Sequence, residues 1–190
     1  IERSIQTFGW LSDEVLYMIR LQQGDGLFNY TLPNFDDGSN HTLPGACLTP
    51  SMKMVEMFYT ENGLPIDQDL KWVGGGNPYA LSVETDPKYT DVVVLNEPVL
   101  NLHRRREPRF YASVAYNGAT WYLLNEPDNA NKDKQIFYYR GSGNGYTNTM
   151  FRLRTGIGVM KFVHPDDTNR DEKDEYIRKK AEPAIRYAEI

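Results

Sequence analysis

The stretch TPSMKMVEMFYTENGLPI at residues 49–66 decides the fold, together with REPRFYASVAYNGATWY at residues 106–122. In the first stretch Thr49 can serve as the N-cap of a helix, and Pro50 suits the first helical position because the donor that a proline lacks would have no partner there. An Asn-Gly pair then favours a turn after the helix. The apolar residues of this predicted helix recur at near-helical spacing and indicate one buried face, formed by Met52, Val55, Met57 and Phe58.

In the second stretch the residues at positions 110, 112, 114 and 116 alternate with those at 111, 113 and 115, which is interpreted as the two-residue period of a β-strand. Its Asn117-Gly118 pair favours a type I′ turn, since that turn needs positive φ at both central positions. The sequence therefore predicts an antiparallel hairpin over residues 110–124 with these two residues at its tip.

These two stretches, in this order, resemble the SusD/RagB family. The family pattern is a Thr-Pro helix start, a short helix ending in an aromatic residue, an NG-P-I turn and, further along, Arg-Asp-Pro-Arg before an aromatic-rich segment. Here Glu107 stands in place of the Asp of that last motif. The run TGIGVMKFV at residues 155–163 resembles the family's Gly-rich strand, and IRYAEI at residues 185–190 resembles the start of a family helix.

The resemblance implies a nutrient-binding lipoprotein of Bacteroidetes on the extracellular face of the outer membrane, lipid-anchored in the full-length protein. Members bind oligosaccharides or polysaccharides and deliver them to a SusC-like, TonB-dependent outer-membrane transporter, without catalysis and without a cofactor. They are several hundred residues long and mostly helical, with tetratricopeptide-like repeats. Residues 1–190 are therefore expected to be one single-domain fragment, the ligand-binding region from the C-terminal half, without the flanking helical repeats.

Composition excludes some classes of function. Lys plus Arg number 21 and Asp plus Glu number 26, which gives a formal net charge of -5 and argues against a nucleic-acid-binding protein. The single basic run, at residues 104–106, is interpreted as a solvated helix end. The apolar runs are shorter than a membrane span requires, so any membrane attachment is expected to lie outside these residues. Cys47 is the only cysteine and is expected to be a buried structural thiol.

A pass along the chain predicts a loop-rich α+β fold with short helices and small antiparallel hairpins. A helix is expected from Pro98 to before Pro108, and a charged helix over residues 169–181. Strands are expected at residues 15–20, 136–140 and 157–163. Residues 22–48 and 67–90 read as long loops, and loops of this length often serve binding.

Candidate ligand-binding residues are aromatic side chains beside amides in these loops and turns. Sugar rings stack their C–H faces on aromatic rings, while Asn, Asp and Arg side chains bind the hydroxyls. Trp72 is the leading candidate, because the glycines around it favour exposure of the ring, whereas Trp10 is expected in the core. The expected ligand-binding residues are Trp72, Asn77, Tyr79, Tyr30 and Trp121.

Two alternatives to glycan uptake stay open: a peptide-binding uptake protein of the same fold and, with less support, a glycoside hydrolase. A hydrolase would need two carboxyl groups at a fixed separation. The acidic segments at residues 34–40 and 166–175 lack the spacing of a calcium loop, so no metal site is predicted. The carboxylates considered for hydrolysis are Glu61, Asp67, Asp69, Glu97 and Glu126.

Overall fold

The computed structural model describes residues 15–19, 31, 33, 48–122, 133–142, 144–145, 153–161 and 182–186, with the backbone alone at 15–19, 122, 133–134 and 182–186. The helices whose bounds the structure describes are α1 (Met52–Glu56) and α2 (Pro108–Ser113). Short 3-10 turns cover Pro87–Tyr89 and Asn101–His103. The strands are β1 (Val15–Ile19), β2 (Leu81–Val83), β3 (Pro98–Leu100), β4 (Val114–Tyr116), β5 (Ala119–Tyr122), β6 (Asp133–Ile136), β7 (Ile157–Val159) and β8 (Glu182–Arg186).

The strands of the described ranges form four separate antiparallel pairs. β1 pairs with β8, β2 with β3, β4 with β7, and β5 with β6. Two of these pairs, β1–β8 and β4–β7, join strands that are far apart in sequence. These two sheets therefore connect distant segments of the chain and are not local hairpins. The described residues thus show the short helices and small antiparallel sheets that the sequence predicted.

The predicted hairpin over residues 110–124 is wrong. Pro108 presets the first helical position of α2, and the amide of Phe110 donates to the carbonyl of Glu107 (3.0 Å), so residues 108–113 are helical. β4 and β5 then pair with β7 and β6 instead of with each other. Of the residues that were expected to alternate in a strand, 110–113 belong to α2 and only 114–116 are in β4. β4 and β5 lie in two different sheets.

The turn between β4 and β5 also differs from a type I′ turn. Gly118 has φ of +83°, but Asn117 is not among the described residues with positive φ. The side-chain oxygen of Asn117 instead accepts hydrogen bonds from the amides of Tyr138 (2.8 Å) and Tyr139 (3.1 Å). Asn117 therefore binds the chain that follows β6.

Helix α1 is shorter than predicted and begins later. Ser51, rather than Thr49, is the N-cap, and its hydroxyl accepts a hydrogen bond from the amide of Met54 (3.3 Å). Five helical residues give little more than one turn, so only Val55 is buried within the helix. Phe58 packs against the core just beyond it, whereas Met52 and Met57 of the predicted face are exposed.

The turn that follows α1 is confirmed. Gly63 has φ of +75°, and its amide donates to the carbonyl of Thr60 (3.0 Å). No atom lies within 4 Å of where a Cβ of Gly63 would stand, so glycine is required here for backbone conformation rather than for space.

Two further helix predictions, at residues 98–107 and 185–190, disagree with the structure where it describes them. The segment from Pro98 forms β3 and a 3-10 turn, because pairing with β2 and the hydrogen bond from the amide of Asn101 to the carbonyl of Ala80 (3.0 Å) override local propensity. Of the segment 185–190, which resembles the start of a family helix, residues 185–186 belong to β8 and pair with β1, and residues 187–190 lie outside the described residues.

The remaining strand predictions hold in part. β1 lies within the predicted strand at residues 15–20, and β7 within that at 157–163. β6 meets the predicted strand at 136–140 only at its last residue. The loop predicted at residues 67–90 contains β2 and a 3-10 turn. Cys47, Trp10 and the predicted helix at residues 169–181 lie outside the described residues.

The core is built around a stack of aromatic rings. The rings of His103 and Tyr116 lie 4.7 Å apart, those of Phe110 and Tyr116 lie 5.7 Å apart, and both pairs are nearly parallel. The stack joins α2, β4 and the second 3-10 turn. Around it pack Val55, Leu102, Val114, Ala115, Ala119, Trp121, Ile136, Tyr138, Leu153, Ile157 and Met160.

Candidate functional site

Trp72 is buried, which contradicts the expectation that its ring is exposed. Only 4% of the residue is exposed, and the indole Nε1 donates to the carbonyl of Arg104 (2.8 Å). A Cβ at Gly74 would stand 2.4 Å from the indole, so this glycine gives the ring room to fold back against its own loop. The small size of the glycines therefore allows the Trp72 ring to pack inside the protein instead of facing solvent.

Trp121 is also buried, on β5, where it belongs to the core. In this position its ring offers no face to a ligand in solution. Tyr30 lies outside the described residues.

Tyr79 and Asn77 lie together on the surface. Half of Tyr79 is exposed, and its hydroxyl donates to the carboxylate of Glu56 on α1, a bond that together with partial burial raises the pKa of Tyr79. The side-chain oxygen of Asn77 accepts from the amide of Tyr79 (3.0 Å), and the side chain of Asn101 donates to the carbonyl of Asn77 (3.1 Å). These bonds hold an exposed aromatic ring beside an amide and a carboxylate.

A separate open cleft of about 630 Å³ lies between the 3-10 turn at Pro87–Tyr89 and the segment formed by α2, β4 and β5. This volume falls within the range of roughly 300 to 1,000 Å³ that is typical of small-molecule sites. Charged side chains at the cleft are Glu61, Lys88, Asp91 and Arg106.

One side of the cleft is fixed by hydrogen bonds among Glu61, Lys88 and Tyr89. The hydroxyl of Tyr89 donates to the Glu61 carboxylate (2.6 Å), and the Lys88 ammonium lies 3.6 Å from the same oxygen. Lys88 and Arg105 lie over the Tyr89 ring at 5.0 and 5.1 Å from its centroid. Burial and the hydrogen bond to Glu61 raise the pKa of Tyr89, so the phenol remains a donor at neutral pH.

The basic run at residues 104–106, interpreted as a solvated helix end, is instead largely buried. Arg104 and Arg105 both bind the buried carboxylate of Glu84, with nitrogen–oxygen distances of 2.9 and 3.2 Å. Arg105 has φ of +50°, which is uncommon for a residue with a side chain. Burial by itself raises the pKa of Glu84, but hydrogen bonds from Arg105, the amide of Asp86 and Arg104 together lower the pKa to about 2.

Arg106 binds main-chain oxygen rather than a carboxylate. Its guanidinium donates to the carbonyls of Val55 (3.1 Å), Phe58 (2.5 Å), Tyr59 (3.2 Å) and Leu102 (2.7 Å). These oxygens include the C-terminal end of α1 and the start of the turn after it. Burial lowers the pKa of Arg106 to about 10, which leaves the guanidinium charged at neutral pH.

The backbone beside Arg106 completes this connection. Thr60 and Arg106 form an antiparallel bridge, and the amide of Glu61 donates to the carbonyl of Arg105 (2.9 Å). The Glu107 carboxylate accepts a hydrogen bond from the amide of Tyr59 (3.0 Å). The two stretches that decide the fold are therefore paired in space.

Asp69, one of the carboxylates considered for hydrolysis, is buried and serves a structural role. It accepts hydrogen bonds from the hydroxyl of Thr60 (2.6 Å), the amide side chain of Asn62 (2.9 Å) and the backbone amides of Lys71 and Trp72 (both 3.1 Å). The side-chain hydrogen bonds from Thr60 and Asn62 lower its pKa, which is the opposite of what a general acid needs. Glu126 lies outside the described residues.

The described residues contain neither a candidate metal site nor a helix that could span a membrane. No three His, Cys, Asp or Glu side chains there lie close enough together to hold a metal ion. Within the same ranges, none of the helices has the length and apolar character that crossing a bilayer requires.

Comparison with known proteins gives the family. The sequence profile of the SusD family matches residues 19–190, so the chain belongs to the SusD family. No curated protein shows significant similarity to the chain.

The solved structures that share the fold include the following two. BT4246 superposes with a TM-score of 0.63 at 21% identity, over 86% of this chain and 26% of that one. A SusD-like protein from Bacteroides fragilis NCTC 9343 gives a TM-score of 0.56 at 18% identity, over 98% of this chain and 32% of that one. The chain thus spans between 26% and 32% of the length of these two proteins.

Proposed function

We propose that this protein binds oligosaccharides or polysaccharides at the cell surface and passes them to a TonB-dependent outer-membrane transporter. Membership of the SusD family, over residues 19–190, is the observation that carries the proposal. The resemblance of the sequence motifs points the same way. The intact protein would be lipid-anchored on the extracellular face of the outer membrane, with a SusC-like transporter as its partner.

The surface at Tyr79 and Asn77 supports glycan binding. A sugar needs one flat apolar face and a few directed polar groups, and Tyr79 is an exposed ring held beside the Asn77 amide and the Glu56 carboxylate. The hydrogen bonds that hold the ring reduce the entropy lost on binding. Of the five residues expected from sequence, these two are the ones that we retain in the proposed site.

The proposal is binding without catalysis. Asp69 is committed to four hydrogen bonds within the protein, and its lowered pKa keeps it ionised. The Glu61 carboxylate accepts a hydrogen bond from the Tyr89 hydroxyl and forms an ion pair with the Lys88 ammonium. The lowered pKa of Asp69 is the opposite of the raised pKa that protonation of a glycosidic oxygen requires.

Calorimetric titration with a panel of soluble polysaccharides, with a set of mixed short peptides alongside, tests the function. Tyr79→Ala is expected to weaken glycan binding roughly tenfold to hundredfold, by analogy with loss of an aromatic stacking platform for a base. Tyr79→Phe keeps the ring and is expected to retain most of the affinity. Tyr139→Ala is the matched control, because Tyr139 is similarly exposed at 59% and lies after β6.

Binding of peptides but of no polysaccharide would assign the protein to peptide uptake and reject glycan capture. Release of reducing sugar from a bound polysaccharide would show a hydrolase instead. Equal affinities of wild type and Tyr79→Ala would remove Tyr79 from the site.

A further inference from the structure

The open cleft beside Tyr89 has walls made mainly of carbon. Val92, Pro108, Ala112, Ala119 and Met160 line it without side-chain polar groups that could bind a ligand. Such a surface can cover the C–H face of a ring-shaped ligand or an aliphatic chain. The walls therefore select for shape and leave chemical selectivity to the few polar groups at the cleft.

The tyrosine hydroxyls along the cleft are already engaged in the fold. Tyr111 donates to the carbonyl of His103 (3.1 Å) and accepts from the amide of Arg106 (3.1 Å). Tyr116 donates to the carbonyl of Val92. The other polar side chains that line the cleft are those of Glu61, Lys88, Asp91, Arg106 and Thr120.

The charges around the cleft balance. Glu61 and Asp91 carry two negative charges, and Lys88 and Arg106 carry two positive charges. The Arg106 guanidinium is committed to backbone carbonyls, and the Lys88 ammonium is 3.6 Å from Glu61. An anionic ligand would find only a cation that is already paired, and would face both carboxylates.

We propose that this cleft binds a neutral sugar residue, with its C–H face on the carbon walls and its hydroxyls on Lys88, Glu61 and Asp91. A sugar hydroxyl both donates and accepts hydrogen bonds, so it can bind at a cleft opening that carries one ammonium group and two carboxylates. The Lys88 side chain is 69% exposed, and its ammonium group has three N–H donors, so it can donate to a sugar hydroxyl while it stays beside Glu61. This inference rests on the proposed glycan-binding function and adds to it a second contact site and a preference for uncharged sugars.

Calorimetric titration of the full chain tests the cleft. The probes are hexasaccharides of glucose, mannose, galactose and xylose, a galacturonate hexasaccharide, and the mixed short peptides. Lys88→Ala and Asp91→Ala are each expected to weaken binding of the neutral sugar about tenfold, as expected for loss of a charge-assisted hydrogen bond. The galacturonate hexamer is expected to bind at least about tenfold more weakly than the best neutral sugar.

A blocking variant and matched controls make the test specific. Thr120 is half-buried on β5 and lines the cleft, so Thr120→Trp is expected to abolish sugar binding while circular dichroism and the melting curve show a folded protein. Lys53→Ala and Asp67→Ala remove exposed charges that do not line the cleft and are expected to leave the affinity unchanged.

The outcomes separate this inference from the proposed function. If Tyr79→Ala weakens sugar binding while Lys88→Ala, Asp91→Ala and a folded Thr120→Trp bind like wild type, the cleft is not a sugar site and glycan capture stands. If the wild type binds none of the sugars, both proposals are overturned. Tighter binding of galacturonate than of every neutral sugar would overturn the preference. Loss of peptide binding but not of sugar binding in the cleft variants would assign the cleft to peptides.

Discussion

The Nη2 atom of Arg104 lies 2.9 Å from the Oε2 atom of Glu84, and both side chains are almost completely withdrawn from solvent. Arg105, the next residue in the chain, binds the same carboxylate. The backbone amides of Thr85 and Asp86 also donate hydrogen bonds to the Glu84 carboxylate. Glu84 follows β2 directly, so this carboxylate holds the loop after β2 against the segment that leads into α2.

Glu84→Gln is expected to destabilise the fold by about 3 to 5 kcal/mol, because the change leaves the buried Arg104 guanidinium and its neighbour Arg105 without their counter-charge. Urea unfolding followed by fluorescence measures the free energy of unfolding. Glu97→Gln is the control, since Glu97 is exposed, and is expected to change this free energy by less than about 0.5 kcal/mol. Similar values for the two variants would contradict a stabilising role for the Glu84 cluster.

Acid is expected to destabilise the protein in two stages. Burial, and secondarily the charge of Arg106, lowers the pKa of His103 from 6.5 to about 3. Because the unfolded chain binds the proton first, stability that is present above pH 6.5 is lost as pH falls toward 3. Glu84, whose pKa is lowered from 4.5 to about 2, adds a second loss below pH 4.5.

Unfolding free energies measured from pH 7 to pH 3 separate these two groups. His103→Phe retains an aromatic ring in the stack on Tyr116 and is expected to flatten the curve between pH 6.5 and 4.5. Glu84→Gln is expected to change the slope only below pH 4.5. An unchanged slope above pH 4.5 in His103→Phe would show that His103 does not cause the first stage.

The three consecutive glycines at residues 74–76 are expected to respond differently to alanine. A Cβ at Gly74 would stand 2.4 Å from the Trp72 ring, and one at Gly75 would stand 2.7 Å from the carbonyl oxygen of Asp69. Gly74→Ala and Gly75→Ala are therefore expected to cost about 1 to 3 kcal/mol. Gly76→Ala meets no atom within 4 Å and is expected to be neutral or slightly stabilising. Melting temperatures of the three variants test this ranking, and a tolerated Gly74→Ala would contradict the packing of Trp72.

Arg106→Lys is expected to destabilise the protein by more than about 3 kcal/mol, because an ammonium cannot reproduce the planar set of donors that binds four carbonyls. Arg109→Lys is the matched control at an exposed position, where the partner is Glu107, and is expected to cost at most about 1 kcal/mol. Denaturant titration of both variants compares them directly. Equal losses would show that the carbonyl contacts contribute little.

Local signals in the sequence predicted the parts of the fold that local chemistry controls. The turn at Gly63 and the strand at β1 follow from residue preference and hydrophobic pattern. The pairing of β4 with β7 and of β5 with β6 depends on contacts between distant segments, which a single sequence does not display. The hairpin prediction failed because an Asn-Gly pair also suits a turn between strands of different sheets.

The candidate site was harder to predict because exposure is a property of packing. A glycine-rich loop is consistent with an exposed Trp72, but the same glycines also allow close packing over the ring. The cleft was missed because its walls come from segments distant in sequence, such as Lys88 and Met160. A signal for the buried cluster was available in three consecutive arginines, since Arg readily forms buried ion pairs with carboxylates.

The hydrogen bonds of Arg106 require a particular side chain at position 106 but not at the positions of its four partners. Four residues receive its hydrogen bonds through the main chain, so a substitution at Val55, Phe58, Tyr59 or Leu102 leaves the accepting oxygen in place. The requirement for a particular side chain falls on the arginine alone. A connection of this kind lets the residues around it diverge while the path of the backbone is kept, which is one physical route by which chains of 18% to 21% identity come to share a fold.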